Sequence, residues 1–146
     1  MEELTQHPLP ETKPKRPNLL TVLCILTFIG SGMNMLSSLI IAGFYDTFIE
    51  VVQVFAEKFK LPGIDSLLEA NPRYFLFSGL FYAGALVGAL LMFRLKKAGF
   101  HVYTIFQILL ILSPMYFMHL SGPSIPDIIF SGTFILLYST NLKFMV

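Results

Sequence analysis

The sequence predicts an all-α fold, an integral membrane four-helix bundle with an extracytoplasmic amphipathic helix between the first and second spans. One observation is composition: the 146 residues are 55% hydrophobic and only 13% charged, whereas soluble domains average about 25% charged residues. The other is apolar length, because a bilayer core of about 30 Å requires roughly 20 mostly apolar helical residues. Four stretches approach or exceed that length, at 19–44, 74–95, 100–120 and 125–142.

The predicted spans differ in how directly they follow from the sequence. The first has no charged residue, the second has none up to Phe93, and the third contains only His101 and His119 as titratable groups other than tyrosine. The fourth is the shortest and carries Asp127 near its start. Residues 1–18 contain four prolines among Glu and Lys, a composition typical of a disordered tail. We therefore expect a tail at 1–18 and one transmembrane domain at 19–146.

The long connection at 46–72 contains a predicted amphipathic helix. Its apolar residues recur at i, i+4, i+7 and i+11, while most of the charged residues fall elsewhere on the helical wheel. They are Phe48, Val52, Phe55 and Phe59. The sequence Leu-Pro-Gly at 61–63 should end this helix, and 64–70 should add one or two helical turns. Either this segment caps the outward mouth of the bundle, or its Phe face is a surface for a partner or lipid.

Basic residues predict the orientation, because loops rich in Lys and Arg stay in the cytoplasm. One side of the four-span arrangement would hold seven of the ten, namely Lys13, Lys15, Arg16, Arg94, Lys96, Lys97 and Lys143. The other side would hold Lys58, Lys60 and Arg73 beside five acidic residues. Both termini are therefore predicted to be cytoplasmic. The alternative is a cleavable signal peptide with a cut near Gly30-Ser31-Gly32, which would leave three spans.

Small residues predict where helices approach closely, since lipid removes most of the hydrophobic drive between them. The predicted helix-packing residues are Gly30, Asn34, Ser38 and Ala42 in the first span, and the GxxxG pair Gly84 and Gly88 in the second. These faces favour contact between the two spans, or alternatively a homodimer. Asn34 is expected to hydrogen-bond across a helix interface, with a substrate contact as the alternative.

Two further features fall in the third span. Gln107 is a second polar residue within the bilayer, and Pro114 should free a backbone carbonyl that Ser113 can re-satisfy.

Three titratable residues form a candidate polar site at the outer side of the predicted bundle. His119 ends the third span, Asp127 begins the fourth, and Arg73 lies at the same membrane level. They could form a proton-responsive pair or half a metal site. The alternative is a helix start in which Ser124 is the N-cap and Asp127 interacts with the helix dipole.

Composition and spacing argue against several functions. A net charge of +1 gives no clustered basic excess for nucleic acid. Cys24 is the single cysteine, so no intrachain disulfide can form. His101 and His119 lie about 27 Å apart along one helix, too far for haem ligation. We expect no cofactor and no bound metal, and find no catalytic motif, so the chain is not expected to be an enzyme.

Two segments carry a resemblance to known proteins. Residues 16–32 (RPNLLTVLCILTFIGSG) and 95–100 (LKKAGF), the latter followed by Tyr103, resemble small uncharacterised four-helix proteins of the bacterial inner membrane. The resemblance implies a bacterial cytoplasmic membrane and four spans, and it implies no functional residue.

The sequence leaves two functions open. The first is an accessory or assembly protein that binds a membrane-protein partner, a second copy of itself or lipid. The alternative is a small oligomeric transporter or channel with a polar path near Asn34 and Gln107. A water-accessible cavity that reaches Asn34 would favour transport, and a dry, packed centre would favour assembly.

Overall fold

The computed structural model describes residues 15–60, 64–119 and 122–146. These ranges form helices and no strand: α1 (Asn18–Gly43), α2 (Tyr45–Phe59), α3 (Asp65–Leu68), α4 (Pro72–Phe93), α5 (Ala98–Phe117) and α6 (Ile125–Thr140), then a 3-10 turn at Leu142–Phe144. The predicted tail lies mostly outside the described residues, as does the Leu-Pro-Gly helix stop at 61–63.

Three helices are long and apolar enough to cross a membrane, namely α1, α4 and α5. They correspond to the first three predicted spans, so the all-helical fold and three helices of spanning length are confirmed. Helix α6 has 16 residues, which is about 24 Å at the usual rise. It ends at Thr140 because the backbone then tightens into the 3-10 turn, so it is shorter than the predicted 125–142.

Helix α4 packs between α1 and α5 through glycines. A Cβ atom built on Gly79 would lie 2.8 Å from Leu39 Cδ2 of α1, and one on Gly88 would lie 2.6 Å from the Tyr103 backbone nitrogen of α5. Each glycine therefore permits an approach that a side chain would prevent.

The predicted small-residue faces lie differently from what the sequence suggested. Gly84 and Gly88 of the GxxxG pair face α5, where Phe106 and Tyr103 occupy the space a side chain would need. On α1, Gly30 has no neighbour within 4 Å of its ideal Cβ position, and Ser38 and Ala42 are only half-buried. Helices α1 and α4 do pack together, but the expected glycine pair does not mediate that contact.

The hydrophobic core lies at one end of the helices, where α1 and α5 begin and α4 and α6 end. We call this the terminal end, and the opposite end, which carries α2 and α3, the loop end. The terminal core consists of Leu20, Leu23, Cys24, Ala85, Ala89, Met92, Tyr103, Tyr138 and Met145. Val146 pairs with the α4–α5 turn, donating to Leu95 O at 2.7 Å and accepting from Lys97 N at 3.0 Å. The terminal end is therefore closed by packed side chains and backbone hydrogen bonds.

The backbone hydrogen bond that Pro114 removes from α5 is replaced by a side-chain hydrogen bond, as the sequence suggested. Ser113 Oγ donates to Leu110 O at 3.0 Å. Leu110 is four residues before Pro114, so its carbonyl is the one that the missing N–H of the proline leaves free. The predicted role of Ser113 is confirmed.

The loop end begins with α2, which corresponds to the predicted amphipathic helix and has no buried residue. Its first turn is anchored, because the Tyr45 hydroxyl donates to Ala70 O. Asn71 then caps α4, accepting at Oδ1 from Arg73 N at 3.0 Å, with Pro72 at the first helical position. This arrangement fixes where α4 starts.

Candidate functional site: a polar cleft between the helices

Towards the loop end, the helices separate around a polar cleft. Two adjacent cavities of about 180 and 290 Å³ lie between α1, α4, α5 and α6. They have five lining residues in common: Asn34, Tyr82, Gln107, Asp127 and Ser131. We call the two cavities together the cleft. Each of the four helices contributes at least one of these five side chains.

The middle of the cleft lies deep along the apolar helices. Asn34 is about 14 Å from the loop end of α1, while Tyr82 and Gln107 are each about 15 Å from the loop ends of α4 and α5 at 1.5 Å per residue. Half of a bilayer core is about 15 Å. Asp127 lies closer to the loop end, in the first turn of α6. The cleft therefore extends from a carboxylate near the loop end to amides and hydroxyls at mid-depth.

Asn34 does not form the expected hydrogen bond across a helix interface. Its Nδ2 donates to Gly30 O of its own helix at 2.8 Å, and the side chain is exposed. The reason is geometric, since the cleft separates α1 from α6 at this level and the Gly30 carbonyl lies one turn back on the same helix. Within the described ranges its Oδ1 accepts no hydrogen bond, so that oxygen remains available in the cleft.

Gln107 forms the polar link between two helices that was predicted for Asn34. Its Oε1 accepts from Ser131 Oγ of α6 at 2.9 Å, and the residue is 9% exposed. The sequence indicated Gln107 but not its partner. Ser131 lies one helical turn after Asp127, and this i, i+4 spacing on the fourth span was the available signal.

The terminal end of the cleft is closed by a second polar contact. The hydroxyl oxygens of Thr27 in α1 and Tyr138 in α6 lie 2.8 Å apart, and both residues are buried. About one turn closer to the terminal end, Cys24 is fully buried, and its Sγ donates to Ala89 O at 3.6 Å. In the part of the chain that the structure describes, the cleft therefore ends at the terminal core. Tyr138 could not be recognised from the sequence, because a tyrosine late in an apolar run resembles an interfacial anchor.

The residues of the candidate polar site fall into two places. His119 and Arg73 line a groove of about 450 Å³ at the loop end, together with Asn71 and Tyr116. Asp127 does not line that groove and instead lines the cleft. Ser124 is the N-cap of α6 but forms no side-chain capping hydrogen bond. In the described ranges, no three His, Cys, Asp or Glu residues are grouped as metal ligands.

The predicted partner or lipid surface on α2 is divided in two. Phe48 packs edge-on against the buried Phe75, with ring centroids 5.8 Å apart. Phe55 and Phe59 stack on each other at 5.7 Å and are exposed, while Val52 is half-buried. The first turns of α2 thus belong to the domain, and the last turns present an apolar surface.

No protein-family model, curated protein or solved structure matches the chain. The cleft and the exposed surface of α2 are therefore the features that bear on function.

Proposed function

We propose that this chain is a small membrane carrier whose polar cleft binds a small polar solute. The observation behind this proposal is the cleft itself, which reaches Asn34 at mid-depth between apolar helices. A role confined to packing would require polar groups at that depth to pair with each other, because unpaired amides and carboxylates are costly in hydrocarbon. Asn34 Oδ1 instead lines open space and accepts no hydrogen bond within the described ranges, which favours water or a solute as its partner.

The proposal includes four spans, with α6 as the fourth. Helix α6 is short, but it lies against α5 and α1 and contributes two of the five shared cleft residues. The excess of basic residues near the terminal end supports a cytoplasmic location for both termini. The cleft would then open towards the outer side, beside an extracytoplasmic α2. The resemblance noted above supports a bacterial cytoplasmic membrane.

The closed terminal end favours a carrier over an open channel. Solute could enter from the loop end as far as Thr27 and Tyr138, where the packed terminal core begins. Passage across the membrane would require α6 to move relative to α1, and those two helices make few contacts. In the oligomeric form of this proposal, a second copy packs against α1 beside the cleft, where no atom lies within 4 Å of the ideal Cβ position of Gly30.

A second candidate is the accessory or assembly function, and the α2 surface favours it. Phe55 and Phe59 are exposed beside Val51 and Val54, and nothing in the described part of the chain covers them. An apolar patch of this kind fits a membrane-protein partner or the headgroup boundary of the bilayer. This candidate requires no open cleft. The carrier function depends on the cleft residues, whereas the assembly function depends on the exposed surface of α2.

Solute release from liposomes tests the carrier proposal. Purified protein is reconstituted into liposomes that contain choline, glycine, erythritol and lactate, and each solute is measured outside the vesicles over time. We expect at least one to leave faster than from protein-free liposomes. Asn34→Leu should slow that release, because it fills and dehydrates the cleft. The control Met33→Leu, on the lipid-exposed face of α1, should leave it unchanged.

Release equal to that from protein-free liposomes for all four solutes would contradict the carrier proposal. In that case, purification in mild detergent should retain a partner protein, and Phe55→Ala with Phe59→Ala should release it.

A further inference from the structure

The charge of the cleft restricts what it can bind. Among its described lining residues Asp127 is the single charged one, and no Lys or Arg lines either cavity. Arg73 is next in sequence to the lining residue Tyr74, but it lines the groove at the loop end and not the cleft. Asp127 is an exposed carboxylate at the loop end of the cleft, and because no described basic residue lines the cavities beside it, the cleft is complementary to positive charge.

Its neutral groups favour the same kind of ligand. The free acceptors are Asn34 Oδ1 and the remaining lone pair of Gln107 Oε1, whose other interaction is with Ser131. Aromatic rings surround them: Phe75, Tyr74, Tyr82, Tyr103, Phe130 and Phe134. The faces of aromatic rings attract cations, above all organic ammonium groups. Carboxylate, carbonyl-type acceptors and ring faces together are the groups that recognise an ammonium ion.

Ser78 adds a buried polar group to the wall of the cleft. It is 4% exposed and lines the larger cavity. Its Oγ forms no hydrogen bond of normal geometry in the described part of the chain, and the hydroxyl of Tyr74, one turn earlier on α4, is close enough to interact with it. A buried hydroxyl is rarely left without a partner. The Tyr74 and Ser78 hydroxyls together therefore form a polar pair on the cavity wall that a bound molecule can contact.

We infer that the cleft binds a small organic cation, an alkyl or quaternary ammonium compound, with its charge near Asp127 and its alkyl groups against the aromatic rings. This inference rests on the proposed solute-binding function and specifies its substrate class. The cavity of about 290 Å³ is close to the lower limit, about 300 Å³, of small-molecule pockets. A bare divalent metal ion fits less well, because the cleft has one carboxylate to balance its charge and the described residues form no group of three acidic, His or Cys ligands.

Matched ligand pairs test the charge requirement. Thermal unfolding of the full chain in mild detergent is followed with choline against its neutral isostere 3,3-dimethylbutan-1-ol, and with butylammonium against butan-1-ol. We expect at least one cation to raise the melting temperature in a saturable way and its neutral partner to have no effect. Asp127→Asn should weaken binding of that cation about tenfold. The control Asp46→Asn, which changes an exposed carboxylate in the first turn of α2, should leave it unchanged.

Two results would overturn the inference. If the neutral compounds stabilise the protein as well as the cations, the cleft binds solutes without selecting charge, and the proposed function remains. If neither cation stabilises it, or both Asp variants weaken binding equally, no cation site exists at Asp127. Should Asp127→Asn not fold, Phe130→Leu serves instead, because it removes one exposed ring from the cleft and should weaken cation binding severalfold.

Discussion

The hydroxyl oxygens of Thr27 and Tyr138 lie 2.8 Å apart and connect α1 to α6 at the level where the terminal core ends. On the terminal side of this contact, side chains from α1, α4, α5 and α6 are packed together. On the other side, the same face of α1 continues through Ser31 to Asn34 and lines the cleft. This one contact therefore separates the packed half of the domain from the open half.

Removing the Thr27–Tyr138 hydrogen bond should destabilise the protein. We expect Tyr138→Phe to lower the free energy of unfolding by about 0.5–1.5 kcal/mol, because it leaves the buried Thr27 hydroxyl without its partner. Thr27→Val should have a similar effect, and the double variant should cost less than the sum. Thermal unfolding in detergent measures this cycle, with Ser139→Ala as the control since Ser139 bonds only within its own helix. Additive effects would show that the two hydroxyls do not interact.

Glycine at position 88 should be required for α4 and α5 to pack. Gly88→Ala would place a Cβ 2.6 Å from Tyr103 N, and backbone that close must shift, at a cost of about 1–3 kcal/mol. Gly30→Ala is the matched control, because no atom lies within 4 Å of that Cβ position. Melting temperatures of the two variants in the same detergent provide the comparison. Equal stability of both variants would mean that α4 and α5 are farther apart than described.

Ser113 should matter only while Pro114 is present. Ser113→Ala should destabilise the protein by roughly 1 kcal/mol, since Leu110 O would lose its donor. In a Pro114→Ala background the backbone N–H of residue 114 can donate to the same carbonyl, so Ser113→Ala should then be close to neutral. Chemical or thermal unfolding of the four proteins measures this dependence. An equal loss in both backgrounds would count against the assignment.

The two ends of α2 should respond differently to truncation. Phe48→Ala removes a ring that packs on the buried Phe75, so we expect a loss of about 1–2 kcal/mol in detergent. Phe55→Ala should leave stability unchanged, because that ring contacts Phe59 of the same helix and is otherwise exposed. A comparable loss from Phe55→Ala would indicate that the end of α2 also packs on the domain.

Much of the helical arrangement could be predicted from apolar length, because each long helix must satisfy its own backbone hydrogen bonds. The ends of α1, α4 and α5 differ from the predicted ends by one to three residues. Helix α2 was predictable from the spacing of its phenylalanines, and the start of α4 from Asn71-Pro72. These features depend on residues that are close together in the chain, so they can be predicted from the sequence.

The relations between helices could not be predicted in the same way. A small-residue face shows that a helix can be approached closely but not which neighbour approaches it, so Gly84 and Gly88 were assigned to α1 when they face α5. Asn34 was assigned an interhelical bond because its depth makes an unpaired amide costly. At the level of Asn34, α1 and α6 separate and the cleft opens. That separation depends on where Tyr138 packs against α1, and Tyr138 lies more than 100 residues after Asn34 in the sequence.

The central claim is that the cleft contains water at the same membrane depth at which the opposite face of α1 contacts lipid. Cysteine reactivity at two positions of α1 tests it most directly, since a thiol reacts with maleimide only as the thiolate, which requires water. In a Cys24→Ala background, Asn34→Cys lies in the cleft, whereas Leu36→Cys lies at nearly the same depth on the opposite face, where Leu36 is 57% exposed.

The two variants are reconstituted into liposomes with a charged, membrane-impermeant maleimide on both sides of the bilayer. We predict that the cysteine at position 34 is labelled at least about tenfold faster than the one at position 36. Equally slow labelling of both would mean that the cleft is dry, and would contradict the account. Equally fast labelling of both would mean that α1 does not lie in the bilayer.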